Sequence, residues 1–281
     1  MLFDRRGRRR IKAGAFVAFC TASTVLALVA LTAILGSLLV QGVGGLEFAV
    51  FVHSTPAPGS EGGLANAIVG SLMMCGMAMV IALAVGVLAG TWLAEYSADN
   101  HYAKVVRFVN DVLLSAPSIL IGLFVYEMVV APTKGFSGYA GALALALLAA
   151  PVVTRTTEDV LKLQSKALRE AGVALGAPLW TTIRSIMWKA AAGGIITGGL
   201  LAFARISGET APLLFTSLNN QFFSLDMGKP IANLPVVIFN YALSAYDDWR
   251  RLAWVGALLI AGAVLSINII VRVISREPKR S

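Results

Sequence analysis

The chain has 281 residues, of which 57% are hydrophobic and only 14% charged, and its mean hydropathy is +0.77. A soluble domain carries about 25% charged residues, so this composition excludes an ordinary soluble protein and predicts a membrane protein. The net charge of +8 does not indicate nucleic-acid binding, because the basic residues flank long apolar runs, and we expect no nucleic-acid partner.

Six segments are long and apolar enough to be predicted as membrane spans, since a bilayer crossing needs about 20 helical residues. Apolar and polar residues do not alternate along them, which excludes a barrel and predicts an all-α membrane protein with six transmembrane helices. The fourth segment is the shortest, and Pro151 marks its predicted end. The segments are residues 13–40, 64–93, 112–131, 138–153, 190–207 and 252–271.

The distribution of lysine and arginine predicts how these spans are oriented. With the N-terminus inside, 18 of the 23 basic residues fall on inner segments and four on outer ones, so both termini are expected in the cytoplasm. The first apolar run is longer than the roughly 7–15 residues of a signal-peptide core, so we expect an uncleaved first span that contacts membrane lipid.

The span order divides the chain into two parts. Residues 1–63 hold the basic N-terminus, the first span and an outer loop, and residues 64–281 hold the remaining core. Within that core, residues 154–189 form a predicted cytoplasmic loop. Residues 208–251 form a predicted outer loop, whose aromatic, amide and proline content indicates a structured cap with short helices.

The cytoplasmic loop has the pattern of two short helices joined by a turn. Ser165 can cap the first helix, and the sequence Gly176-Ala177-Pro178 interrupts it. One interpretation is an amphipathic helix pair lying on anionic lipid. The other is a short helix that fills a cleft in a partner protein.

Two pairs of charged residues lie in or beside the spans. Arg205 and Glu209 are four residues apart and share a helix face if the helix reaches Glu209. Such charges are costly in a bilayer, so the pair either neutralises itself within the bundle or presents a guanidinium to an oxyanion. Arg155 and Glu158 form a second pair, which is either a solvated pair at the membrane edge or part of the same pathway.

Glycines four residues apart occur in two of the spans. Gly86 and Gly90 lie in the second, and Gly194 and Gly198 lie in the fifth. Small residues at this interval let helices approach closely in lipid. The pattern predicts close helix packing at both places.

The loop also resembles a known family. Glu170-Ala171-Gly172, followed by Gly176 and Ile186, is similar to the coupling loop of bacterial ABC importer permeases. The resemblance implies a fold like that of type I importer permeases and a loop that docks on an ATPase. It further implies that Glu170 makes polar contacts there, that Ala171 and Gly172 permit close approach, and that Gly176 makes the turn.

Other segments resemble the phosphate-importer permeases of the PstA type. These are residues 151–158, 205–216, 219–222 and 230–236, and the last two look specific to the phosphate subgroup. The chain departs from the general importer pattern at residues 187–189, Met-Trp-Lys, where that pattern has Leu-Pro.

The resemblance implies a permease subunit of an ATP-driven importer of inorganic phosphate in the bacterial inner membrane. The implied partners are a second, unlike permease, two ATPase subunits and a periplasmic phosphate-binding protein. No Gly-x-x-x-x-Gly-Lys-Ser/Thr motif occurs, so ATP hydrolysis is expected in the partner and this chain is not expected to be an enzyme. No metal site or cofactor is predicted. The alternatives are a permease for molybdate or sulfate, a proton-coupled secondary carrier, and a regulatory scaffold that acts in addition to transport.

Overall fold

The computed structural model describes residues 2–97 and 100–274, and its regular structure over these ranges is helical. Three single π-turns continue α-helices without a break, at Trp92–Tyr96, Tyr126–Val130 and Ile183–Met187. The α-helices are α1 Leu2–Gly44, α2 Ala49–Val52, α3 Ala65–Thr91, α4 His101–Ser115, α5 Ser118–Val125, α6 Ala131–Thr133, α7 Gly138–Lys162, α8 Lys166–Ala174, α9 Leu179–Thr182, α10 Trp188–Ser207, α11 Ala211–Leu214, α12 Leu234–Ala242 and α13 Asp247–Ile274.

Over the described ranges, five helical stretches are long and apolar enough to cross a membrane, and a sixth crossing exists if one bent pair counts as a span. The bent pair corresponds to the third predicted span. Six spans were expected, and the all-helical membrane fold is confirmed. The five stretches are Gly7–Gly44, Ala65–Tyr96, Gly138–Lys162, Leu179–Ser207 and Asp247–Val273.

The third predicted span, residues 112–131, is not one straight helix. It begins in the last turn of α4 and then bends by 106° into α5. The bend falls at Ala116 and Pro117, both in extended conformation. Proline has no backbone N–H to donate and disfavours helical geometry in the residue before it, so the helix ends here.

Helix α7 is the centre of the bundle, with most of its length buried between α3 and α10. Both predicted glycine pairs face it. A Cβ added to Gly86 would lie 2.7 Å from the Val153 side chain, and one added to Gly90 would lie 2.6 Å from the Thr154 carbonyl oxygen. On the other side, a Cβ on Gly194 would lie 2.5 Å from Val160. The prediction of close packing at the two glycine pairs is therefore confirmed.

We call the end of the bundle that carries α8 and α9 the loop end. Helix α7 does not stop at Pro151 but continues to Lys162, so the first part of the predicted 154–189 loop extends the span instead. On the other side of the loop, Ile183–Met187 runs without a break into α10. The general importer pattern has a proline near this point, and without it the chain here forms one continuous helix. Trp188 Nε1 anchors this junction by donating to Thr91 Oγ1 at 3.1 Å.

We call the opposite end, with residues 45–64 and 208–246, the cap end. The predicted short helices in the second segment are confirmed as α11 and α12. Asn66, buried near the start of α3, accepts from Thr55 N at 3.0 Å and donates to the Asn220 carbonyl at 2.9 Å. Ser71 Oγ accepts from Leu234 N at 2.8 Å. Neutral hydrogen bonds to the backbone thus fix the path of the cap.

Helix α1 stands apart from this core. Its most apolar stretch is exposed throughout. It packs on α13 near the cap end, where a Cβ on Gly42 would lie 2.8 Å from Leu258 and one on Gly45 the same distance from Val255. The rest of its apolar surface suits contact with lipid or another membrane helix.

Candidate functional site

The loop between α7 and the π-turn Ile183–Met187 is a compact pair of helices, α8 and α9. Ser165 Oγ caps α8 by accepting from Leu168 N at 3.3 Å, as predicted. Gly176 then turns the chain with φ +76°, a conformation that suits glycine. Gly172 is buried, and a Cβ added there would lie 2.5 Å from Thr182 Cγ2, so the two helices touch at this position.

The loop carries an exposed apolar surface, which we call the tip surface. Its two most exposed members are Leu163, at 82%, and Leu175, at 86%. The predicted coupling residues Glu170, Ala171 and Gly176 are also exposed. Gly172 is instead buried, because it contacts Thr182 within the loop. The tip surface consists of Leu163, Val173, Leu175, Leu179 and Trp180.

A buried ion pair attaches α8 to the bundle. Arg169 Nε and Nη2 donate to the two carboxylate oxygens of Glu95 at 2.8 and 2.7 Å, and the Glu95 side chain is only 3% exposed. The same guanidinium donates to the carbonyl oxygens of Leu161, at 2.8 Å, and Gln164, at 3.1 Å. The hydrogen bonds to the Glu95 carboxylate raise the pKa of Arg169 above its ordinary value, so the guanidinium keeps its positive charge.

Glu158 lies in a second ionic cluster at the loop end. Its side chain is 2% exposed, and Oε1 accepts from Arg107 Nε at 2.7 Å and from Lys162 Nζ at 2.5 Å. Arg107 Nη2 also donates to the Leu93 carbonyl at 3.1 Å and to Ser97 Oγ at 3.2 Å. Glu158 therefore joins α7 to α4 and to the end of α3.

Arg155 is not paired with Glu158. It is 47% exposed, its Nε lies 3.2 Å from Asp159 Oδ2, and its Nη1 lies 3.9 Å from Asp111 Oδ1. Exposed pairs of this kind contribute about 0–1 kcal/mol, so Arg155 can exchange its partners easily. The predicted pairing of Arg155 with Glu158 is wrong, since each residue has other partners.

Arg205 and Glu209 lie at the cap end of α10. The helix ends at Ser207, so the condition for a shared helical face is not met. Within residues 2–97 and 100–274, neither side chain forms an ion pair. Arg205 is exposed in the last helical turn, where the helix dipole favours a positive charge, and Glu209 is half-buried. Among the described residues, the Arg205 guanidinium therefore has no carboxylate partner.

The turn after Arg205 packs on the bent helix pair. A Cβ added to Gly122 of α5 would lie 2.6 Å from Pro212 Cα, so the two backbones touch without side chains between them. This contact holds residues 208–212 beside α5. It accounts for the glycine at position 122, because any side chain there would push the turn away.

The sequence interpretation missed Glu95, Arg107, Lys162 and Arg169 as parts of the site. Lys162 was within reach of sequence reasoning, because it stands four residues after Glu158 on one helix. The other three meet across long sequence separations, and only the folded bundle brings them together.

Comparison with known proteins assigns the chain to a class. The family model for "Binding-protein-dependent transport system inner membrane component" matches residues 86–280. The phosphate transport system permease protein PstA of Haemophilus influenzae is 52% identical over 257 residues, which cover 92% of this chain and 91% of that protein. The protein of the same name from Yersinia pestis is 55% identical over 247 residues, covering 88% and 84%.

Solved structures agree on the fold. The inward-facing MetNI methionine ABC transporter matches with a TM-score of 0.59 and 17% identity, covering 75% of this chain and 95% of that one. An amino acid ABC transporter matches with a TM-score of 0.52 and 16% identity, covering 74% and 92%. At these identities the likeness concerns the fold, which is that of type I ABC importer permeases.

Proposed function

The chain belongs to the binding-protein-dependent transport system inner membrane components and to their PstA-type phosphate permeases, and we propose that an ATPase drives it through the tip surface. It is a multi-pass inner-membrane protein and a permease subunit of a phosphate ABC importer. Its coupling segment is residues 170–176, with Glu170 and Ala171 at the contact and Gly172 and Gly176 shaping the loop.

The observation that carries this proposal is that Leu163 and Leu175 are 82% and 86% exposed in the same loop as the exposed Glu170. Clustered apolar side chains outside a span favour burial in a partner. A short helix with an apolar surface suits a cleft, and a polar Glu170 beside it suits contacts at the rim. The Gly172–Thr182 contact supports a compact loop, because α8 and α9 pack directly against each other at this position.

The substrate pathway is proposed to pass Arg205 and Arg155. The Arg205 guanidinium can donate two parallel hydrogen bonds to phosphate, and Glu209, half-buried just after α10, is proposed as a second polar group of the pathway. Arg155 has only exposed partners, which phosphate can replace. Glu158 is buried and anionic, so its proposed part is to hold Arg107 and Lys162 in position rather than to touch phosphate.

The proposed assembly has a second, unlike permease, two ATPase subunits and a periplasmic phosphate-binding protein. Both termini and the tip surface are proposed to face the cytoplasm, in line with the lysine and arginine bias. ATP hydrolysis is proposed to occur in the ATPase subunits. This chain then supplies half of the passage and the surface that couples it to them.

The test is phosphate uptake into vesicles that contain this chain and its partners. Arg205→Gln is expected to abolish ATP-dependent uptake while the ATPase subunits remain attached. Glu170→Ala is expected to weaken ATPase attachment, measured by co-purification. Glu61→Ala removes an exposed carboxylate at the cap end and serves as the control for Glu170→Ala.

Three outcomes would contradict the proposal. Uptake that continues without ATP and collapses with the proton gradient would indicate a secondary carrier. Uptake of molybdate or sulfate in preference to phosphate would indicate that the substrate is another oxyanion. Equal loss of ATPase attachment in Glu170→Ala and Glu61→Ala would remove the assigned role of Glu170.

A further inference from the structure

We propose that Arg169 is a positioning residue for transport, which passes movement of the coupling helix α8 to the end of α3 through its ion pair with Glu95. This inference rests on the proposed function, since it concerns how ATPase-driven movement enters the bundle. It assigns a role to two residues that neither belong to the tip surface nor face the proposed phosphate pathway.

The geometry of Arg169 suits this role. Two parallel hydrogen bonds join its guanidinium to the Glu95 carboxylate, which fixes the angle between the groups as well as their distance. The two further bonds to Leu161 and Gln164 tie the same side chain to the end of α7. One side chain on α8 therefore holds the ends of two bundle helices.

The Glu95 side chain is 3% exposed and the Arg169 side chain 24%, so the carboxylate of this ion pair is buried and the guanidinium is partly shielded from solvent. Breaking a buried ion pair leaves a charge without compensation, so the pair resists separation when α8 moves. Leu168 of α8 packs in an apolar cluster with Leu161 and Met187, and most other contacts of α8 are with α9 and the π-turn after it. The ion pair is thus the polar link from α8 to α3.

The end of α3 is also held from the opposite side. Arg107 of α4 donates to the Leu93 carbonyl and to Ser97 Oγ, on either side of Glu95, and pairs with Glu158 of α7. Gly90, one turn earlier, lies against α7. A displacement that Arg169 imposes on Glu95 therefore reaches Arg107 and Glu158 through contiguous contacts.

The test measures phosphate transported per ATP hydrolysed, using vesicles that contain the complete complex. Arg169→Gln and Glu95→Gln are expected to lower this ratio by about fivefold or more, as for sites coupled in the usual range. Arg169→Lys keeps the charge but loses the two parallel bonds, so the ratio is expected to fall less than in Arg169→Gln. ATPase attachment is expected to stay unchanged in all three.

The double variant that exchanges the two residues, Glu95→Arg with Arg169→Glu, is expected to restore part of the lost phosphate-to-ATP ratio. A pair needed only for folding would not give this partial recovery. Lys104→Gln removes an exposed positive charge from α4 at the same end and should leave the ratio unchanged. An unchanged ratio in Arg169→Gln would overturn the inference. A loss of ATPase attachment in proportion to uptake would overturn it too, because Arg169 would then act on docking.

Failure of this inference can be told apart from failure of the proposed function. If the unsubstituted complex shows no ATP-dependent phosphate uptake, the proposed function itself fails. If the unsubstituted complex transports and Arg205→Gln stops it, but Arg169→Gln keeps a normal ratio, only the role of Arg169 is lost.

Discussion

The two ends of the bundle are held together by different chemistry. At the loop end, the buried carboxylates of Glu95 and Glu158 pair with partly exposed guanidinium groups on other helices. At the cap end, the uncharged side chains of Asn66 and Ser71 hold the backbone, and ion pairs such as Arg251–Glu47 are exposed. Side chains at the loop end therefore link one helix to another, whereas side chains at the cap end hold the backbone of the cap in place.

This difference has a mechanical consequence. A hydrogen bond from a side chain to a neighbouring backbone sets where that backbone runs, so the cap is expected to move as one unit. An ion pair between side chains on two helices couples the movement of those helices, because separating the charges would leave one of them without compensation. The loop end is therefore the end suited to transmitting movement.

The largest expected effect follows from removing the carboxylate at the centre of the loop-end cluster. Glu158→Ala leaves Arg107 and Lys162 without their shared partner, and the expected cost is about 2–4 kcal/mol, below that of a fully buried pair because Lys162 is 47% exposed. We expect a clear fall in the melting temperature of the detergent-solubilised protein. Asp159→Ala, which breaks only the exposed pair with Arg155, should cost about 1 kcal/mol or less. Equal effects of the two substitutions would show that the buried cluster does not stabilise this end.

The next effect concerns the contact between the cap and α3. A Cβ on Gly70 would overlap the carbonyl oxygen of Ala232, so Gly70→Ala is expected to cost about 1–3 kcal/mol in free energy of unfolding. Gly76 lies on the same helix with open space around it, and Gly76→Ala should be neutral or stabilise by up to about 1 kcal/mol. Thermal unfolding of both variants measures the difference. If Gly70→Ala is as stable as Gly76→Ala, the cap does not pack as closely as described.

Much of the fold could be predicted from the sequence because it depends on local composition. The apolar runs, the Ser165 cap, the Gly176 turn and the glycine pairs facing α7 all follow from residue type and spacing. The bend at Pro117 was visible as a proline within an apolar segment, but its angle was not. It depends on how α5 packs against Pro212.

The candidate site was less accessible to sequence reasoning. Arg155 and Glu158 are three residues apart, and partners three or four apart are both within reach on one helix. The structure pairs Arg155 with Asp159 and Glu158 with Lys162 instead. Arg107 reaches Glu158 from a different helix, and no periodic pattern in the sequence indicates this. Tertiary packing therefore decides which carboxylate each cation contacts.

One glycine at each end of the bundle allows a direct comparison of the two ends, with a small expected loss of stability at both. Gly59 at the cap end and Gly176 at the loop end have almost the same backbone conformation, with φ +75° and φ +76°, and a Cβ would meet open space at both. Alanine at either position is therefore expected to cost about 1–2 kcal/mol through backbone strain alone. The two variants should melt at similar temperatures.

Their effects on transport should nevertheless differ. Gly176→Ala alters the turn that presents the tip surface, so ATPase attachment and phosphate uptake should fall, whereas Gly59→Ala should leave ATPase attachment intact. Co-purification of the ATPase with each variant, at matched protein stability, measures this. If both variants keep the ATPase equally well, the turn at Gly176 is only a structural connection, and coupling at the loop end would rest on its ion pairs instead.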